Sequence, residues 1–221
     1  MNIKLHYIEK GSGFPLILLH GNGEDHTYFV HQIEYFSKTR RVIAIDTRGH
    51  GQSHKGSASF TIKQFANDLL AFMDDHNIGK ADILGFSDGG NIALTFALQH
   101  QNRVNKLILN GANLFPKGVK ASVQIPIVIG YYIAKLLGGK EKAELLGLMV
   151  KEPNFAPTEL NVLNIPSLVL AGSRDMIRRT HTELIAASIP ESVLCILDGD
   201  HFIASKKHTA FNSVVEMFLN Q

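Results

Sequence analysis

The stretch that decides the fold is Gly85-Phe86-Ser87-Asp88-Gly89-Gly90, which lies between an apolar run and a helical pattern. The run before it, residues 81–84, predicts a strand, and residues 91–98 predict a helix. So tight a turn strains the backbone of Ser87, and glycines two residues before and after it let strand and helix approach closely. The spacing G-x-S-x-G is typical of a nucleophile elbow, although a glycine-rich loop can show it by chance.

Length and composition limit the classes of protein to which the chain can belong. The chain has 221 residues, of which 45% are hydrophobic and 19% charged, and its formal net charge is +2. These values are typical of a soluble globular protein, and the length fits one domain with an insertion. Lysine and arginine are scattered along the chain and form no basic stripe, so we expect no nucleic-acid partner.

Two further features bear on the cellular compartment. Cys195 is the single cysteine, which excludes a disulfide framework, and its apolar surroundings predict a buried strand cysteine. Residues 1–6 lack the apolar segment of a signal peptide, and the longest apolar stretch, residues 125–137, is too short to span a membrane. We therefore expect a cytoplasmic protein without a membrane partner.

Apolar strands alternate with helical patterns along most of the chain. Strands are predicted at residues 3–9, 15–19, 41–46, 81–84, 104–109, 167–171 and 193–197. Helices are predicted at residues 28–37, 60–77, 91–98, 180–188 and 204–219, with Thr61 as an N-cap and Gly79 after the second helix. This alternation predicts an α/β fold with a mostly parallel central sheet that helices cover on both faces.

The alternation breaks between residues 113 and 164. This block holds four prolines, two adjacent tyrosines and a mostly helical pattern at residues 127–150. We interpret it as a small helical insertion.

Polar groups gather where the predicted strands end. Parallel strands place their carboxyl ends at one edge of the sheet, and His20 to Gly23, the elbow, Asp175 and His201 all follow strands. A serine hydroxyl needs a histidine as base, and the histidine needs a carboxylate to hold it in the right tautomer. The order Ser87, Asp175, His201 is the one that accompanies this elbow.

Five motifs together identify a resemblance. They are His20-Gly21, the segment Asp46-x-Arg48-Gly49-x-Gly51-x-Ser53, the elbow, Gly172-Ser173-Arg174-Asp175 and Gly199-Asp200-His201-Phe202. In this order they resemble the α/β-hydrolase superfamily over almost the whole chain. The Gly-Phe-Ser-Asp-Gly-Gly form also resembles valacyclovirase-type and small bacterial esterases.

The resemblance implies an α/β-hydrolase fold with a short helical cap inserted after the sixth strand. Residues 1–112 and 165–221 would form the core, and residues 113–164 the cap. It further implies a serine hydrolase that needs no cofactor.

The resemblance also implies roles for single residues. Ser87 would be the nucleophile, His201 the general base and acid, and Asp175 the carboxylate that orients His201. The backbone N–H groups of Asn22 and Asp88 would form the oxyanion hole.

Other residues compete for these roles. Asp198 and Asp200 are alternative acids, although they lie so close to His201 in one loop that reaching its Nδ1 is awkward. His208 is the nearest alternative base, but it falls within the last helical pattern. The eleven histidines show no H-E-x-x-H spacing, so we expect no metal.

Several side chains near the motifs have two interpretations. The Asp88 carboxylate either attracts a substrate ammonium group or pairs with a nearby arginine or lysine. Tyr131 and Tyr132 either line a substrate pocket or pack against the core. His20 and His50 precede glycines, and we expect them to hold loop geometry through hydrogen bonds.

The expected activity is hydrolysis of a small carboxylic ester or thioester through an acyl-enzyme. The same triad also serves C–C bond, amide or lactone hydrolysis and perhydrolysis, which the sequence does not separate. The alternative from another functional class is a protein of the same fold that binds a ligand and catalyses no reaction. The sequence does not predict an oligomeric state.

Overall fold

The computed structural model describes residues 3–58 and 60–221. Its strands, in chain order, are β1 (Tyr7–Lys10), β2 (Pro15–Leu19), β3 (Arg41–Ile45), β4 (Ala81–Phe86), β5 (Val104–Asn110), β6 (Ser167–Gly172) and β7 (Ser192–Leu197). Its α-helices are α1 (Val30–Phe36), α2 (Ile62–Asp75), α3 (Asp88–Gln99), α4 (Ala121–Leu136), α5 (Lys140–Lys151), α6 (Arg179–Ser188), α7 (Ile203–Lys206) and α8 (His208–Leu219). Short 3-10 helices lie at His26–Phe29, Gln101–Arg103, Pro116–Gly118 and Pro157–Val162.

The described strands form one sheet in the order β1-β3-β2-β4-β5-β6-β7. Strand β1 pairs antiparallel with β3, and every other neighbouring pair is parallel. This confirms the predicted α/β-hydrolase fold with a mostly parallel sheet. The parallel order brings the carboxyl ends of β2, β4, β6 and β7 to one edge, where the predicted site residues lie.

Apolar side chains cover both faces of the sheet, because alternate residues of each strand point to opposite faces. Helices α2, α3 and α6 close one face, against residues such as Ile83 and Leu107. Helices α1, α7 and α8 close the other face, against residues such as Leu84 and Ile108. The continuous apolar strands of the sequence are therefore explained by burial on both sides.

The bounds of several elements differ from those predicted. The strand expected at residues 3–9 begins only at Tyr7, because the backbone N–H of His6 donates to Ser53 Oγ at 2.8 Å and only its carbonyl still accepts from the backbone of Asp46. Helix α2 has Thr61 as its N-cap, as predicted, but it ends at Asp75. The chain then turns at Asn77, whose φ is 55°, before it reaches Gly79.

Other differences concern the end of the chain. The helix predicted at residues 204–219 is interrupted at Lys207, which has non-helical angles and separates α7 from α8. Strand β7 is an edge strand, so Cys195 is half-buried and not buried as predicted. Ser59, before α2, lies outside the described residues, as do Met1 and Asn2 at the N-terminal segment.

Helices α4 and α5 lie between β5 and β6 and pack against each other. The resemblance implied an insertion after the sixth strand, but in this sheet it follows the fifth, because only β1 precedes the parallel strands. The helical pattern predicted at residues 127–150 is two helices, separated by a turn at residues 137–139. The division into a core and a cap stays a prediction.

No helix in the described ranges is both long and apolar enough to cross a bilayer.

A buried ion pair joins the loop after β3 to helix α2. The Arg48 guanidinium donates from Nε and Nη2 to the two carboxylate oxygens of Asp68, at 2.7 and 2.6 Å, and it also donates to the carbonyl of Lys55. Both side chains are almost completely buried. Arg48 therefore belongs to a structural network that holds its loop against α2.

We expect Asp68→Ala to lower the free energy of unfolding by about 3–5 kcal/mol, because it leaves the Arg48 charge buried without its partner. Chemical denaturation measures this difference. Glu9→Ala is the matched control, since it breaks the bidentate but exposed pair with Arg41 and should cost less than about 1 kcal/mol. Equal losses in the two variants would contradict the assignment of Arg48 and Asp68 as a stabilising buried pair.

Candidate active site

The turn between β4 and α3 is a strained elbow. Ser87 has φ 54° and ψ −119°, a left-handed conformation that is costly for a residue with a side chain. A Cβ on Gly85 would lie 2.2 Å from the carbonyl oxygen of Gly89, and a Cβ on Gly89 would lie 2.0 Å from that of Leu19. The two glycines are therefore a steric requirement, and the predicted elbow geometry is present.

Asp175 and His201 form a buried pair. Asp175 Oδ1 lies 2.7 Å from His201 Nδ1, and it also accepts from the backbone N–H of Ile177 at 2.8 Å. A carboxylate accepts, so Nδ1 carries the proton and Nε2 is left with its lone pair. This is the protonation that a histidine needs to act as a general base.

Ser87 and His201 lie on either side of the turn that ends β5. The backbone N–H of Ser87 donates to the carbonyl of Asn110 at 2.8 Å, and a Cβ on Gly111 would lie 2.7 Å from His201 Cε1. The ring of Phe86 is centred 4.8 Å from that of His201. The described hydrogen bonds do not include one between Ser87 Oγ and His201.

The competing acids and the competing base are engaged elsewhere. Asp198 pairs with Arg174 at 2.7 Å, and Asp200 pairs with Lys206. His208 is stacked on His31, with the two ring centres 3.9 Å apart. The geometry therefore favours Asp175 and His201 over each alternative.

The loop after β2 is held by His20. Its Nδ1 donates to the carbonyl of Gly21 at 2.7 Å, and its Nε2 accepts from the backbone N–H of Thr47 at 3.0 Å. Burial lowers the pKa of His20 to about 4, so the ring stays neutral near neutral pH. His50 likewise bonds the carbonyl of Arg48. The prediction that both histidines hold loop geometry is confirmed.

A hydrogen-bond network of asparagine amides and the Asp88 carboxylate connects the two residues predicted to form the oxyanion hole. Asn22 Nδ2 donates to Asp88 Oδ2 at 2.9 Å and to the carbonyl of Leu145 at 2.9 Å. Asn91 Nδ2 donates to Asp88 Oδ1 and to Asn113 Oδ1, each at 3.1 Å, and Asn91 Oδ1 accepts from the backbone N–H of Asn113. The network ties the β2 loop, the start of α3 and the start of the insertion together.

The Asp88 side chain does not pair with arginine or lysine, which was one of its two predicted roles. Its residue is 6% exposed, and each carboxylate oxygen accepts from an asparagine amide and not from arginine or lysine. Burial raises the pKa of Asp88 to about 6, opposed by the hydrogen bonds from Asn22 and Asn91. The carboxylate is thus a buried anchor for Asn22, and contact with a substrate ammonium group stays a prediction.

Two residues that sequence reasoning missed, Glu24 and Tyr28, approach the pair of Asp175 and His201. Glu24 Oε2 accepts from the backbone N–H of Gly21 at 3.2 Å, and burial raises the pKa of Glu24 to about 7. The Tyr28 ring stacks on Phe86 with ring centres 4.2 Å apart, and burial raises the pKa of its hydroxyl. That hydroxyl has no hydrogen-bond partner within the described residues.

The two tyrosines of the insertion have different surroundings. Tyr131 is buried and lines a cavity of about 500 Å³ together with Phe60, Lys151 and Glu152. Tyr132 is 61% exposed, so it neither packs against the core nor lines that cavity. None of the predicted triad residues lines this cavity.

One cluster in the described residues has the donor set of a metal site. Asp46 accepts from His6 Nδ1 at 2.7 Å and from His26 Nδ1 at 2.8 Å, and these groups are close enough to share an ion. The same carboxylate also accepts from the backbone N–H groups of His26 and Gln52. Four protein donors therefore already satisfy Asp46, which we interpret as the anchor of its loop.

A family model matches residues 15–143, more than half of the chain, and is described as the alpha/beta hydrolase fold. The chain is 33% identical over 132 residues to a 2-hydroxymuconate semialdehyde hydrolase of Pseudomonas sp. (strain CF600), a match that covers 58% of this chain and 44% of that protein. It is 27% identical over 242 residues to serine hydrolase BPHL of Mus musculus, covering 98% of this chain and 83% of that protein. The chain therefore spans less than half the length of the first of these relatives.

Solved structures show the same fold. One is the enol-lactonase from Burkholderia xenovorans LB400, with a TM-score of 0.85 and 21% identity, which covers 99% of this chain and 97% of that one.

Glu24 should make stability depend on pH. Its pKa is raised from 4.5 in the unfolded chain to about 7 in the fold, so its contribution is present below about pH 4.5 and lost as the pH rises through 7. We expect the wild type to lose stability relative to Glu24→Gln over this window, by on the order of 1–2 kcal/mol once partial exposure is allowed for. Chemical denaturation at several pH values measures the difference.

Glu34→Gln is the control, since Glu34 is exposed and pairs with Lys10. A difference between wild type and Glu24→Gln that stays constant with pH would contradict the raised pKa.

Proposed function

Because the chain belongs to the α/β-hydrolase fold family, we propose that it is a serine hydrolase that cleaves a small carboxylic ester or thioester. The observation that carries the proposal is the buried hydrogen bond between Asp175 and His201, close to a serine on a strained elbow. Strain of this kind clusters at functional sites, and it supports a role for Ser87, whose turn lies at the same edge of the sheet as His201.

In the proposed reaction, Ser87 Oγ attacks the carbonyl carbon and His201 Nε2 takes its proton. The tetrahedral oxyanion accepts from the backbone N–H groups of Asn22 and Asp88. The Asp88 N–H is in the first turn of α3, where it has no acceptor within the helix and adds to the positive end of the helix dipole. His201 then protonates the leaving group, and a water that His201 activates releases the acid from Ser87.

The proposed substrate is small, because α5 lies against the loop that carries Asn22. Among the residues that the structure describes, none accepts from the Tyr28 hydroxyl, and a polar substrate oxygen or a water can satisfy it. No cofactor enters the proposed steps. A cytoplasmic location, as predicted from the sequence, completes the proposal.

Hydrolysis of a C–C bond is the second candidate. A relative that is 33% identical over 132 residues is named a 2-hydroxymuconate semialdehyde hydrolase. That compound has neither an ester nor an amide bond, so its hydrolysis must break a carbon–carbon bond. Comparing turnover of this semialdehyde with turnover of p-nitrophenyl esters separates the two candidates.

We expect Ser87→Ala to lower kcat for p-nitrophenyl esters by about 10⁴-fold or more, because the nucleophile is lost. Labelling with a fluorophosphonate probe should occur on Ser87 in the folded wild type and disappear in the variant. Ser122→Ala, which removes an exposed hydroxyl at the start of α4, should change neither result. A folded wild type that neither labels nor turns over any ester would favour a ligand-binding protein instead.

We expect Asn22→Ala to lower kcat by about tenfold. The backbone donor remains, but the loop loses its side-chain anchors on Asp88 and Leu145, so the donor is less well placed. The loss should be smaller than the 10²–10³-fold cost of deleting an oxyanion donor. Asn105→Ala is the matched control, since it removes a similar hydrogen bond to Asp82 away from the site. An unchanged kcat in Asn22→Ala would show that the anchors are not needed.

A further inference from the structure

The outer face of α4 exposes large apolar side chains in a continuous row. Leu136 and Leu137 are 85% and 77% exposed, and the others are each more than half exposed. We call this surface the α4 face; it consists of Ile125, Ile129, Tyr132, Ile133, Leu136 and Leu137.

Helical spacing brings these side chains together. Residues three, four and seven positions apart lie on the same side of a helix, and the α4 face follows this spacing over its whole length. The opposite side of the helix carries the buried residues Tyr131 and Ala134 and packs toward α5. The remaining exposed large apolar side chains of the described residues are dispersed over other elements. A patch of this size on one helix indicates a surface that binds something.

The segment that carries the α4 face holds only positive charges up to the start of α5, where Glu141 follows Lys140. Residues 113–140 contain no aspartate or glutamate and four lysines. All four are exposed: Lys117, Lys120, Lys135 and Lys140. An anionic surface would match this charge, whereas packing the face symmetrically against a second copy would bring like charges together. Charge complementarity therefore favours an anionic partner over a copy of this chain.

We propose that the α4 face binds the surface of an anionic lipid bilayer, with α4 lying in the plane of the interface. An apolar row flanked by lysines is the pattern of a helix that enters the boundary between headgroups and acyl chains without crossing it. Tyr132, an amphipathic side chain, belongs at such an interface. The expectation of no membrane partner rested on the absence of a spanning segment, which does not bear on surface binding. The proposal is independent of the reaction at Ser87.

Vesicle co-sedimentation tests this surface with the full chain. We expect binding to vesicles of phosphatidylcholine with phosphatidylglycerol, weaker binding to phosphatidylcholine alone, and a decrease with added salt. Leu136→Gln should lower the partition coefficient about tenfold or more, because it removes a large apolar side chain from the contact. Lys135→Gln should lower it about fivefold on the anionic vesicles and little on the neutral ones.

Met217→Gln is the matched control, since Met217 is an exposed apolar residue on α8, away from the α4 face. It should bind as the wild type does. Circular dichroism verifies that each variant is folded, and fluorophosphonate labelling of Ser87 reports the reaction site separately.

Three outcomes would overturn the proposal. The first is no binding to anionic vesicles by the folded wild type. The second is binding that neither Leu136→Gln nor salt weakens. The third is a dimer in sedimentation velocity that Leu136→Gln dissociates, without vesicle binding, which would assign the α4 face to self-association.

Discussion

The site depends on a close approach of three backbone segments at the elbow. Gly89 lies so near the carbonyl of Leu19, and Gly85 so near that of Gly89, that a side chain at either position would collide with the backbone. This contact brings the end of β2, the end of β4 and the start of α3 together. The loop with Asn22 and the start of α3 are thus neighbours, joined by the hydrogen bond from Asn22 Nδ2 to Asp88. The absence of side chains at Gly85 and Gly89, more than any single hydrogen bond, sets the geometry of the elbow.

Much of this arrangement follows from the sequence. A parallel sheet collects the carboxyl ends of its strands at one edge, so Ser87, Asp175 and His201 could be grouped without coordinates. Asp175 could be preferred over Asp198 and Asp200 because it follows a separate strand, and it is the carboxylate that bonds His201. These three residues could be predicted because each one follows a strand that an apolar run in the sequence reveals.

Other parts of the site could not be predicted, because their partners are distant in the chain. In the sequence, Asn91 is one polar residue within an apolar helical pattern and suggests no partner. Its hydrogen bonds to Asp88 and Asn113 depend on the path of the chain at the start of the insertion. The spacing of Asp88 and Asn91, one helical turn apart, was a signal that could have been used. Glu24 and Tyr28 carry no motif, and only the packing of their loop against Phe86 and His201 reveals them. Burial raises the pKa values of Asp88 and Glu24, and burial cannot be predicted from these residues' positions in the sequence.

The contact between Asn22 and Leu145 has a consequence for how such a protein can diversify. The amide of Asn22 bonds the main-chain carbonyl of residue 145, which is present whatever side chain stands there. Helix α5 can therefore change its side chains while the loop that carries Asn22 keeps its support. Recognition of the main chain at this junction leaves the side chains of α5 free to vary without loosening the loop after β2.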